Sequence, residues 1–164
     1  MTWTPAGNFL LNQAIADKST TKKHDYGTIV SCKDETYGAG EFIYMKGVAS
    51  CAIRNWVTLN TDDGTTTRLA ANAVGPCGVA MATLTASYYG WFQIAGKAIG
   101  SCLTSFADNG RVYITATAGS VDDASVAGDF VWNAVGASTT TASTNVADFE
   151  LNRPFTADRV SIIS

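Results

Sequence analysis

A chain of 164 residues is one domain's length and can bury a core without a metal or disulfide. Its net charge is −3, and Lys18, Lys22 and Lys23 form its one basic cluster, which leaves no footprint for nucleic acid. Charged residues make up 15 % of the chain, against about 25 % in ordinary soluble domains; no apolar run approaches a membrane span.

Thr, Ser, Ala, Gly and Asn stand where charge is missing. A surface of these residues costs little to bury, because few charges must be desolvated. Composition thus favours an assembling protein over a Thr-rich sheet that faces water. Met1-Thr2-Trp3-Thr4-Pro5 lacks the basic and apolar regions of a secretory signal. Cys32, Cys51, Cys77 and Cys102 are singly spaced and share the chain with one histidine. That pattern predicts reduced thiols buried as small hydrophobes, with no metal and no cofactor.

Residues 1–25 read as an N-terminal arm that packs on something and then enters the body, apolar at Phe9-Leu10-Leu11 and polar from Asn12 to Lys23, with a short helix conceivable over Leu10 to Asp17. Residues 26–164 read as a β-sandwich domain, because from Tyr26 the apolar period is two. Thr28 to Cys32 is a strand. Gly38-Ala39-Gly40 is a break, and Glu41 to Lys46 is a strand with Phe42 and Tyr44 on one face, Ile43 and Met45 on the other. Both faces are apolar, which predicts cover on both sides.

Ala52 to Asn60 is the next strand, closed by an Asp62-Asp63-Gly64 turn. Thr65 to Asn72 is a loop or partial strand, and Gly75-Pro76 is a turn into Cys77 to Ala82. Tyr88 to Gly96 is the densest strand signal. It places Trp91 and Gln93 on one face and Phe92 and Ile94 on the other, with Gly90 open to close approach. Asp108-Asn109-Gly110 predicts a type I′ hairpin leading into Arg111 to Thr117, whose alternation marks a half-buried strand. A turn at Gly119 to Asp123 precedes a strand at Phe130-Val131-Trp132. Ser138 to Thr144 is an exposed loop, and Ala147 to Leu151 closes the set. Roughly eight to ten short strands, with Gly- and Asp-rich turns, predict an all-β antiparallel sandwich or jelly roll.

Catalytic chemistry finds little footing. A Ser-His or Cys-His site would need His24, which sits beside Lys22-Lys23 and reads as a surface residue. Glu35 and Glu41 could serve as a hydrolytic carboxylate pair. Asp62-Asp63 and Asp122-Asp123 fall in turns, where Asp has a local role. Trp56, Tyr89, Trp91 and Tyr113 could form a sugar-stacking platform, as in a carbohydrate-binding module; filling a core or subunit interface is the competing reading. The expectation is no enzyme.

Four ordered segments carry a resemblance: Tyr37 to Tyr44 with Lys46-Gly47-Val48-Ala49; Gly75 to Ala80; Tyr89 to Gly96; and Arg153-Pro154-Phe155. Together they resemble small phage head decoration, or cement, proteins, over about Thr28 to Phe155. The resemblance implies a jelly-roll-like fold and no catalytic residues. It also implies a homodimer or homotrimer on the outer capsid surface of the virion, bridging subunits of the major capsid protein and assembled in the bacterial host cytoplasm. Trp3, Phe9, Leu10 and Phe155 are the candidate subunit or capsid contacts, because apolar residues near termini commonly have a docking partner.

Overall fold

The computed structural model describes residues 1–140 and 144–159, and all regular structure among them is β. The strands are β1 (Thr4–Pro5), β2 (Lys18–Ser19), β3 (Ile29–Asp34), β4 (Gly38–Lys46), β5 (Trp56–Asn60), β6 (Thr65–Arg68), β7 (Val74–Ala80), β8 (Tyr89–Ser101), β9 (Arg111–Ile114), β10 (Val121–Asp122), β11 (Phe130–Gly136) and β12 (Val146–Ala157). Every pairing between them is antiparallel. The main path runs β1-β3-β4-β8-β7-β12-β11-β9-β10, with β2 on β8 and the β5–β6 hairpin on β7. The all-β antiparallel sandwich reading therefore holds.

Two long strands organise the path. The first half of β8 pairs with β4, up to Gly40 opposite Gly96. Its second half pairs with β12, from Ala95 opposite Asn152 to Ser101 opposite Val146. Gly96 sits at the handover with φ +87°, and a Cβ there would lie 2.2 Å from the Ala39 carbonyl oxygen. β12 makes a second handover. Past Arg153, at φ 52°, Phe155 to Ala157 pair with Pro76 to Val74 of β7.

The alternation in β4 and β8 sends side chains into two separate cores. Phe42, Tyr44 and Trp91 join Trp3, Ile15, Val30 and Cys32 in one cluster. Ile43, Met45, Phe92 and Ile94 join Val57, Leu59 and Leu84 in a second. A third gathers Trp56, Phe106, Val131 and Phe149. Cover on both faces of β4 is thus as its sequence predicts. All four cysteines are free and buried within these clusters.

The first 25 residues differ from the expected arm. They form a packed layer over the first cluster: β1 pairs with β3, β2 pairs with β8, and Trp3 and Ile15 are buried. No helix forms between Leu10 and Asp17. The segment is too short to hold a helix unaided, and its inward residues, Gln13 and Ile15, are two apart. Gln13 fixes it instead. Its Nε2 donates to the carbonyls of Asp17 and Tyr89 at 3.0 and 2.9 Å, and its Oε1 accepts from the Tyr44 hydroxyl at 2.8 Å.

Three expected turns also differ. Gly38-Ala39-Gly40 opens β4 rather than breaking it, because Gly40 permits close packing under Trp3 and Gln93. Gly75-Pro76 lies inside β7, where the strand passes from β12 to β5, so the donor Pro76 lacks is not needed on a second side. At Asp108-Asn109-Gly110 a turn does form, closed by the Gly110 N–H on the Ala107 carbonyl. Asn109 alone has positive φ, which suits a type II turn rather than I′, and β9 pairs with β10 and β11 instead of a preceding strand. The Ser138 to Thr144 loop lies partly outside the described residues; its Thr140 is tied to Phe106 and Leu103.

Candidate interaction surfaces

The four predicted contact residues fall in different settings. Trp3 is 7 % exposed and packs edge-on against Phe42 at 4.8 Å, so it is a core residue and presents no docking surface. Phe9 stacks on His24 at 5.7 Å, with Leu10 beside it in sequence and 77 % exposed. His24 in turn packs on Tyr44 and Trp91, and its Nε2 is buried without a partner among the described residues. Burial lowers the pKa of this imidazole, against a smaller opposing pull from Asp25. Phe155 stands on β12, in a groove that none of the other three lines.

That groove is where the central core reaches the surface. Ile43, Leu59 and Ile94 line its interior, and each is nearly buried. Ile29 and Phe155, both 41 % exposed, stand at its edges, and Pro76 of β7 and Pro154 of β12 also line it. Its volume is about 310 Å³. The conformation of Arg153 re-aims β12 so that Phe155 lies opposite Pro76. The groove's one charged lining residue, Arg153, is neutralised by Glu41, its Nε donating to the carboxylate at 3.1 Å. Cys77 lies beneath, its thiol pushed up to about 12 by burial, which leaves it protonated and inert. Through Leu59, Thr61 and Pro76 the groove continues into a second depression that includes Val74, an exposed apolar residue.

A second cleft adjoins it. Trp132 lies directly opposite Phe155 on neighbouring strands, and directly opposed residues share a face. Phe130 is on that face as well, two residues away, and meets Tyr113 of β9 across the next pairing. The ring centroids are 4.6 Å apart for Phe130–Trp132 and 5.4 Å for Tyr113–Phe130. This cleft has about 500 Å³ and is edged by Arg111, Asn133 and Arg159.

No protein-family model, no curated protein and no solved structure matches this chain.

The other sequence candidates are dispersed. Glu41 is held by Arg153, whereas Glu35 lies in the β3–β4 turn beside a polar depression that Glu41 does not line. The neighbouring Asp34 caps that turn: its carboxylate accepts from the N–H groups of Thr36, Tyr37 and Thr2, with the Tyr37 bond the largest cause of its lowered pKa. Asp63 accepts from Thr65 in its own turn. Asp122 lies in β10 rather than a turn, and Asp123 accepts from the Ala107 N–H. Of the two readings of the aromatics, the stacking platform comes apart and core filling holds for Trp56 and Trp91, which are fully buried. Trp91 donates its indole N–H to the Gln13 carbonyl. Tyr113 alone of that set reaches an aromatic cleft.

Sequence reasoning missed Ile29, Val74 and Trp132 as exposed residues. A signal for Trp132 existed: in Phe130-Val131-Trp132 one face must be Val131 alone, and Val131 is the residue in the core.

Proposed function

We propose that this chain is a capsid decoration, or cement, protein. It binds the outer surface of a phage head as a homo-oligomer and bridges subunits of the major capsid protein. The observation that carries the reading is the open apolar groove at Phe155. It lies in the Arg153-Pro154-Phe155 segment, one of the four that resemble such proteins.

Physical chemistry supports the role. Exposed Ile29, Phe155 and Val74 surround a point where the core opens, and contiguous exposed apolar surface favours a protein partner. The Arg153–Glu41 pair is partly exposed, so it contributes little to stability and leaves the groove electrically quiet. A cement protein repeats its contact over the head, so modest affinity at each site is enough. Four buried thiols need no oxidation, in keeping with assembly in a bacterial cytoplasm.

The test is binding of the purified chain to expanded heads of its phage that lack it, read by co-sedimentation. The wild-type chain is expected to bind, and Phe155→Ser to weaken binding by roughly thirtyfold per contact, the scale of an interface hot spot. Phe155 is exposed enough for the variant to fold, which its thermal midpoint checks. Failure of the wild-type chain to bind would remove the role. Equal binding by Phe155→Ser would move the contact away from this groove.

A further inference from the structure

We propose that the cleft of Tyr113, Phe130 and Trp132 binds an acidic sugar, a pyranose ring that bears a carboxylate. The inference goes beyond head binding and does not rest on the Phe155 groove.

The aromatic half of the site follows from β11. Val131 points into the core, so Phe130 and Trp132 must face outward. Trp132 is 45 % exposed, whereas Trp3, Trp56 and Trp91 are buried. Its ring meets Phe130 at 90°, and Tyr113 continues the wall at 60° to Phe130. Rings at right angles make a corner, not a parallel slot. The C–H face of a pyranose packs into such a corner, while a flat nucleobase gains most between or upon parallel faces. At about 500 Å³ the cleft is in the size range of small-molecule sites, which pair apolar walls with a few polar groups.

The polar half is cationic. Arg111 and Arg159 both line the cleft, and neither pairs with a carboxylate among the described residues. A guanidinium binds a planar carboxylate through two parallel hydrogen bonds. Asn133 lines the cleft from the bulge between Trp132 and Ala134, with an amide suited to sugar hydroxyls. The frame is built in advance: Arg111 pairs with Val135 in the sheet, and the backbone of Arg159 bridges to Gly128. Charge restricts the ligand further. The chain is acidic overall, and the Asp158 carboxylate stands next to Gly128 in the cleft wall. One carboxylate can be matched here, whereas a polyphosphate would meet repulsion.

Acrylamide quenching of intrinsic fluorescence reads this site selectively, because Trp132 is the exposed tryptophan. Galacturonic acid and N-acetylneuraminic acid are the probes. At least one should protect Trp132 from the quencher at millimolar concentration, and galactose should protect it far less. Arg111→Gln and Arg159→Gln alter exposed residues and should keep the thermal midpoint while weakening the acidic probe on the order of tenfold each. Calorimetry should find no binding to Trp132→Ala. The proposal is overturned by no protection from either acid, by equal protection from galactose, or by protection from AMP alone. Head binding by Arg111→Gln and sugar binding by Phe155→Ser keep the two readings separable.

Discussion

Gly96 and Gly38 both have positive φ, yet they should respond differently to a methyl group. At Gly38 a Cβ would meet nothing within 4 Å, so Gly38→Ala should cost about 1–2 kcal/mol from backbone strain alone. At Gly96 the same strain adds to a collision with the Ala39 carbonyl, which is backbone and cannot swing aside. Gly96→Ala should cost roughly 2–5 kcal/mol, read from urea midpoints at constant slope. Equal losses would contradict the handover geometry of β8. His24 offers a pH test. Its folded pKa lies below the ordinary 6.5, so the unfolded chain takes up a proton first. Its stability contribution is therefore present above pH 6.5 and is lost as pH falls from there through the folded value. Thermal midpoints of wild type should fall over that window relative to His24→Gln. A wild-type midpoint that rises on acidification relative to the variant would show the opposite sign.

The N-terminal layer shows what was legible at the level of elements and what was not. β4 and β8 were legible because each alternates two apolar sets, and that pattern has one solution: cover on both faces. The layer over them was not, because Trp3, Gln13 and Ile15 follow no regular period. Their burial depends on partners far along the chain, such as Tyr44 and Tyr89. Pro76 was misleading for a related reason: a turn residue locally, it is permitted in β7 by the exchange of partners there. Tyr44 tests the layer. Its hydroxyl donates to Gln13 and accepts from the Lys23 N–H at 3.1 Å. Tyr44→Phe leaves both partners unpaired, so a loss of about 1–3 kcal/mol is expected. Hydrogen exchange should quicken first at residues 13–23. Removal of residues 1–25 should expose Phe42, Tyr44 and Trp91 and yield an aggregating chain, whereas a soluble, stable product would restore the arm.

At the scale of the whole molecule, two neighbouring surfaces share one outward face, with Trp132 opposite Phe155. The Phe155 groove is almost wholly apolar and its charge is paired, while the arginines of the Trp132 cleft pair with no carboxylate among the described residues. Of the predicted contacts, Phe155 is exposed on β12 whereas Trp3 is buried. The burial of Trp3 was not legible, because an aromatic near a terminus reads alike whether it docks outward or folds inward. Self-association is a further expectation of the proposed role. Light scattering on the purified chain at micromolar concentration should give a dimer or trimer, and a strict monomer would count against it. Cryo-microscopy of the virion is the deciding measurement for the capsid role. Density for this chain is expected on the outer head surface, with the Phe155 groove covered by a capsid subunit or a sister copy. A head surface without the chain would contradict it.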